Sequence, residues 1–206
     1  MDATGLQTLA DEKRQAAVDR ILRCARLFVA AHGLDVTVEQ IADAAGVSRR
    51  TLFRLFPTRD ELLAAAISAG LARYADELPA YRGGDWRAWL HELCRAVHRM
   101  NASCGPGFWE LATRHHLPPG LSAIEQQRRR GRRAVMTALA DTLWSAANGP
   151  GRPPRTLAPA VAAYLSPHFT AAVTDDAGQD WRQAADEANT AIERLMRHEL
   201  IRKHTG

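Results

Sequence analysis

The chain has 206 residues, 46% of them hydrophobic, and a net charge of +4 from 27 Lys and Arg against 23 Asp and Glu. That length suffices for one sizeable core or for a small domain joined to a larger one, and the mild charge excess identifies no partner by itself. No window approaches the roughly 20 uninterrupted apolar residues of a membrane span, the start MDATGLQTLADEKRQ has no apolar signal core, and Cys24, Cys94 and Cys104 lack a paired spacing, so the reading is a cytoplasmic protein with reduced thiols. Helical spacing recurs along nearly the whole chain and no alternation supports a strand, which predicts an all-α fold. Residues 1–12 read as a flexible N-terminal arm.

The stretch TVEQIADAAGVSRRTLFRLFPTRDEL, residues 37–62, predicts two short helices around a glycine turn. Thr37 with Gln40 forms a capping box, Val38, Ile41, Ala42 and Ala45 fall on one face, and Gly46 ends the first helix. Ser48 caps the second, where Leu52, Phe53 and Phe56 share one side while Arg50, Thr51 and Arg54 lie on the other and Arg49 projects from the first turn. A guanidinium donates two parallel hydrogen bonds to guanine or clamps a phosphate, and the first residues of such a helix are those that reach base edges. Pro57 stops the helix, and Thr58 with Glu61 predicts a second capping box that places Arg59 at a positive helix N-terminus. The whole is a helix-turn-helix built to enter double-stranded DNA.

Further along, a fourth helix is predicted over 59–78 with Leu62, Leu63, Ala66, Ile67, Gly70, Leu71 and Tyr74 as its buried stripe. Asp85 caps a helix reaching about Asn101, a short helix carries Phe108, Trp109 and Leu111, and a longer one covers 120–147. GPGRPPR is the clearest linker. Two terminal helices follow, 157–173 with a kink at Pro167 and 180–202 with Trp181, Ala188, Ile192 and Leu195 on a broad stripe.

Residues 14–63 resemble the DNA-binding domain of the tetracycline-repressor (TetR) family of bacterial transcription regulators, on Ile21, Leu22, Ala25, Leu27, Phe28 and Gly33 and then Thr37, Val38, Ile41, Ala42, Ala45, Gly46, Val47, Ser48, Thr51, Leu52, Phe56 and Leu62. The resemblance implies a three-helix helix-turn-helix domain at 13–59 and a six-helix ligand-binding and dimerisation domain at 60–206. It implies base contacts from Arg49, Arg50 and Phe53 and phosphate contacts from Thr37, Ser48, Thr51, Arg54 and Arg59. Three positions depart from the family's common pattern: Arg50 stands where Gly is frequent, as an added contact or a merely exposed charge; Phe53 stands for Tyr; and Leu55, for Tyr or His, offers no polar contact. It further implies an effector cavity, for which Trp89, Met100, Phe108, Trp109, Trp144, Tyr164 and His168 are the candidates, with core filling as the competing reading of each aromatic. A homodimer interface on the two C-terminal helices is expected to use Leu165, Phe169, Trp181, Ala188, Ile192 and Leu195.

The run RRRGRR at 128–133 lies within a helix, where adjacent arginines splay and solvate. Cys94 and His98 are one turn apart, too little for a metal site without a second motif. No nucleophile elbow, Walker loop, dinucleotide fingerprint or paired His–Glu metal motif is present, so neither catalysis nor a cofactor is expected. The expectation is a homodimeric repressor that leaves a near-palindromic operator when a small apolar or amphipathic molecule binds. The alternative is a helix-turn-helix protein whose second domain recruits a protein partner and has no small-molecule site.

Overall fold

The computed structural model describes residues 3–204, with side chains at 9, 11–70 and 77–203, and is all-helical there. The helices are α1 (Ala3–His32), α2 (Val38–Ala45), α3 (Arg49–Leu55), α4 (Arg59–Asp76), α5 (Trp86–Asn101), α6 (Pro106–Thr113), α7 (Pro119–Ala146), α8 (Leu157–Tyr164), α9 (Pro167–Ala171), a π-helical turn (Ala172–Asp176) and α10 (Trp181–His204). No described helix is long and apolar enough to cross a membrane. Leu71 and Tyr74, expected on the stripe of α4, lie outside the described side chains.

Two boundaries differ from expectation. Residues 3–12, expected as an arm, continue α1, because Leu6 through Lys13 are mostly good helix formers with no Gly or Pro until Gly33. The expected kinked helix over 157–173 is two helices. Its first part ends at Leu165, and Ser166 turns extended (φ −82°, ψ 150°) to cap α9 by accepting the Phe169 N–H, with Pro167 at the position where a missing N–H costs nothing.

By packing, the chain forms two compact units, 1–73 with 104–127, and 74–103 with 128–206. This division differs from the expected 13–59 and 60–206, because α6 and the start of α7 fold with the N-terminal helices. The first unit buries Ile21, Ala25 and Val29 of α1, Ile41 and Ala45 of α2, Leu52 of α3 and Leu62 and Leu63 of α4, with Leu111 of α6 and Leu121 of α7 closing the same core. Small residues set the α1–α6 distance: a Cβ on Gly105 would stand 1.9 Å from the Ala30 carbonyl oxygen, and one on Gly107 2.3 Å from that of Val29.

The second unit buries the apolar stripe of α5 (Trp86, Trp89, Leu90, Leu93, Val97) against α10 (Ala185, Ala188, Ile192, Met196), with α7 and α8 adding Met136, Leu143, Trp144, Leu157 and Val161. On the rim an ion pair between Arg87 and Glu193 at 3.2 Å and a contact of His91 with Asp186 at 3.7 Å tie α5 to α10. Each buried large apolar side chain contributes about 1.5–3 kcal/mol, so these stripes, rather than exposed ion pairs worth at most about 1 kcal/mol, hold the unit together.

Candidate nucleic-acid interface

The helix-turn-helix is set by its caps. Thr37 is extended (φ −88°, ψ 157°), its Oγ1 accepts the Gln40 N–H at 3.2 Å, and its own N–H donates to Gln40 Oε1 at 2.8 Å, closing the box in both directions. Gly46 adopts the left-handed region (φ 60°, ψ 39°), so the chain reverses and the Val47 N–H satisfies the Ala42 carbonyl at 3.0 Å. Ser48 Oγ then accepts the Thr51 N–H at 3.1 Å and lies 2.9 Å from the Thr51 hydroxyl. Leu52 is fully buried and Phe53, Leu55 and Phe56 lean on the same core, so the opposite side of α3 is fixed toward solvent.

That outward side carries the expected readers. Thr37, Ser48, Arg49, Arg50 and Arg54 are exposed, and Thr51 and Phe53 half-buried. Arg49 bonds Glu39 of α2 at 2.7 Å, and its guanidinium lies 5.3 Å from the Phe53 ring centre. Such an exposed pair is worth at most about 1 kcal/mol, little to give up for DNA. Arg50 and Arg54, one turn apart, make no ion pair among the described residues. Their charge is the part of α3 that the fold leaves unneutralised.

Arg59 sits differently from its expected place at a phosphate. Its Nε–H donates to the Val36 carbonyl at 2.8 Å and its Nη2 to that of Leu34, with Asp60 beside Nη1 at 3.5 Å. The other side of this turn is held by α6, where Glu110 accepts the Leu34 N–H at 2.8 Å and Arg114 meets Asp35 at 3.4 Å. Thr58 Oγ1 accepts the Glu61 N–H at 3.1 Å, starting α4 beside it. Sequence reasoning missed Glu110 because nothing local marks a carboxylate that bonds a backbone 76 residues away.

The N-terminal unit of this all-helical protein thus presents a capped helix-turn-helix whose second helix bears arginines. The family profile for bacterial regulatory proteins of the tetR family matches residues 21–66 of the chain. It is 34% identical over 82 residues to uncharacterized HTH-type transcriptional regulators of Mycobacterium bovis and Mycobacterium tuberculosis, a stretch covering 39% of this chain and 43% of each relative. Among solved structures, a tetR-family transcriptional regulator from Streptomyces coelicolor superposes with TM-score 0.66 at 19% identity over 93% of this chain and 89% of its own. NalD, described as the secondary repressor of the MexAB-OprM multidrug efflux pump in Pseudomonas aeruginosa, gives 0.60 at 21% over 89% and 96%. These two likenesses concern the fold.

The residues expected at an effector do not form one set. Phe108 and Trp109 stack edge-on at 5.0 Å in the first unit, and the other five belong to the second. Trp144 is 1% exposed, with Gly149 folded against its indole. Trp89 is buried and donates Nε1–H to the Pro79 carbonyl at 2.9 Å, with Tyr81 5.2 Å from its ring. Both fill core. His168 is exposed, Met100 is half-buried against the core, and Tyr164 is half-buried beside Phe169. An open groove of about 500 Å³ runs along α5, lined by Glu77, Pro79, His91, Arg95, Arg99 and Trp181 among others, and takes in none of the seven.

The expected dimer set needs correction for half its members. Leu165, Ala188 and Ile192 are fully buried within a single protomer. They belong to the core under α5, since an apolar stripe alone does not say whether a helix faces its own core or a second copy. Phe169, Trp181 and Leu195 keep part of their surface. Deeper in this unit, burial and nearby Asp186 push the Cys94 thiol up to about 12, and burial pushes His98 down to about 4 against the opposing Tyr164 carbonyl.

Proposed function

We propose that the protein is a homodimeric repressor in which α3 of each copy enters the major groove of a near-palindromic operator, and that a small apolar or amphipathic effector bound in the second unit releases it. The observation that carries the DNA reading is the pair Arg50 and Arg54, exposed one turn apart with no acidic partner among the described residues, on a helix whose opposite side is buried. Arg50 reads a base edge, Arg54 and the Thr37, Ser48 and Thr51 hydroxyls hold phosphates, and Arg49 exchanges Glu39 for DNA. Arg59 acts through the 33–36 turn it clamps.

One recognition helix reads only a few base pairs, so a second copy is what gives specificity. The surface left for it lies on α8 and α10, where Ala162 and Leu195 remain partly exposed and Ile201 is 60% exposed. The test is a mobility assay of Arg50→Ala with Arg54→Ala against the DNA upstream of the protein's own gene, over a salt series. Each change is expected to weaken binding about tenfold, with Arg54→Ala also flattening the salt dependence by about one phosphate contact. Unchanged affinity and salt slope for the double variant would overturn the reading. Release by effector is tested with the same complex against a metabolite panel, and a protein that no compound dislodges is better read as recruiting a protein partner.

A further inference from the structure

His98, Asn101 and Thr170 form a polar cluster inside the second unit, joining α5 to α9, with His98 0%, Asn101 3% and Thr170 2% exposed. The Thr170 hydroxyl donates to the Ser166 carbonyl at 3.2 Å, accepts the Asn101 Nδ2–H at 3.0 Å, and lies 2.8 Å from His98 Nδ1. A hydroxyl has one proton and two lone pairs. With the proton given to Ser166 and one lone pair to Asn101, the other lone pair is open to His98 Nδ1, and in the tautomer that carries the imidazole proton there Nε2 is a bare acceptor. The amide of Asn101 is oriented as well, because Nδ2 also donates to the Leu165 carbonyl at 3.3 Å.

Two acceptors therefore remain, His98 Nε2 and Asn101 Oδ1, each buried without a hydrogen-bond partner. Buried polar atoms are ordinarily paired, since their lost hydration is otherwise not returned. These two sit three residues apart, nearly one turn, at the same end of α5. Around them the surface is aromatic: the Phe169 ring lies 5.9 Å from the imidazole and 5.4 Å from that of Tyr164. The wall that carries Thr170 is the five-residue α9, which runs straight into the π-helical turn Ala172–Asp176, a segment with no buried residue. A π-turn of this kind is a frequent mark of a functional site.

We infer that His98 Nε2 and Asn101 Oδ1 form a recognition subsite for an uncharged effector that donates hydrogen bonds, an alcohol, phenol or amide N–H, from an apolar body. This rests on the effector-responsive reading proposed above. A carboxylate would meet two acceptors and no cation of the cluster, and a cation would find no carboxylate in it. A hydroxyl on an aromatic or aliphatic body gives its one proton to one of the two bare atoms, and the two N–H groups of a primary amide satisfy both.

The experiment is nitrogen NMR of the full chain with 1-naphthol and with 1-methoxynaphthalene, which keeps the body and removes the donor. The free protein is expected to show Nε2 of His98 unprotonated. Naphthol is expected to shift the His98 and Asn101 side-chain nitrogens while the ether leaves them in place, and Asn101→Leu is expected to weaken naphthol about tenfold or more. A protonated Nε2 in the free chain overturns the subsite without recourse to any variant. So does equal binding of the two probes, or no shift at His98 with naphthol. A panel compound that frees the operator without moving His98 overturns the subsite and leaves the effector reading standing. Naphthol bound at His98 with the operator still held supports the subsite and counts against release by effector.

Discussion

Glu110 on α6 places its carboxylate 2.8 Å from the backbone N–H of Leu34, at the turn that carries the chain from α1 into α2. On the same turn Arg59 takes the carbonyls of Leu34 and Val36, so Leu34, three residues before Thr37, is held through both its backbone N–H and its carbonyl. Leu34 is 1% exposed, and its N–H has no water to fall back on.

Glu110→Ala is therefore expected to cost about 1–3 kcal/mol, the penalty of an unsatisfied buried donor, and Glu110→Gln to recover most of it because an amide oxygen still accepts. Urea denaturation of the two variants separates the cases. Equal losses would mean that the ionic contact to Arg114 matters more than the acceptor.

Gly105→Ala is expected to be among the most damaging single-methyl additions in the chain. The new Cβ would overlap the Ala30 carbonyl of a helix that cannot swing aside, which we expect to cost upward of about 2 kcal/mol. On α7, a Cβ at Gly131 meets nothing within 4 Å, and Gly131→Ala should instead stabilise by about 0.5–1 kcal/mol. Melting curves of the pair test both signs at once.

Thr37→Ala and Ser48→Ala each remove a side-chain cap at the start of a helix of the helix-turn-helix. Each is expected to lower stability by about 1 kcal/mol. Both should also weaken operator binding beyond what the lost stability explains, since the same hydroxyls are proposed at phosphates. A protein variant destabilised equally at a cap outside the first unit, Ser166→Ala, provides the control for the mobility assay.

Stability is expected to fall as the solution is acidified through the range where His98 titrates. Its imidazole has an ordinary value of 6.5 and is pushed down to about 4 in the fold by burial, so between those values the unfolded chain takes up a proton that the native chain does not. The contribution is fully present above pH 6.5 and is lost as pH falls toward 4, amounting to about 3 kcal/mol at the lower end. His98→Phe should flatten this part of the pH profile, measured by denaturant midpoints at constant salt.

Much of the helix-turn-helix is legible locally. Thr37 with Gln40, Gly46, and Ser48 with Thr51 each act within a few residues, so sequence spacing carries their geometry. What spacing cannot carry is contact over distance. Arg59 looks like a phosphate ligand because its helix position suits one, and only the fold brings the carbonyls of Leu34 and Val36 within its reach. Leu165, Ala188 and Ile192 show the same limit, since core and interface write the same stripe. His98 stands one turn from Cys94 in the sequence, yet its partner Thr170 lies 72 residues on, and no motif links them.

Two of the glycines answer to unrelated demands. Gly46 holds a left-handed backbone with nothing within 4 Å of the place a side chain would begin, whereas Gly105 has that place filled by another helix. The first is a constraint on torsion, which asparagine can meet at modest cost. The second is a constraint on volume, which no other residue can meet. Replacement is accordingly open at the turn before α3 and closed at the crossing of α6 over α1.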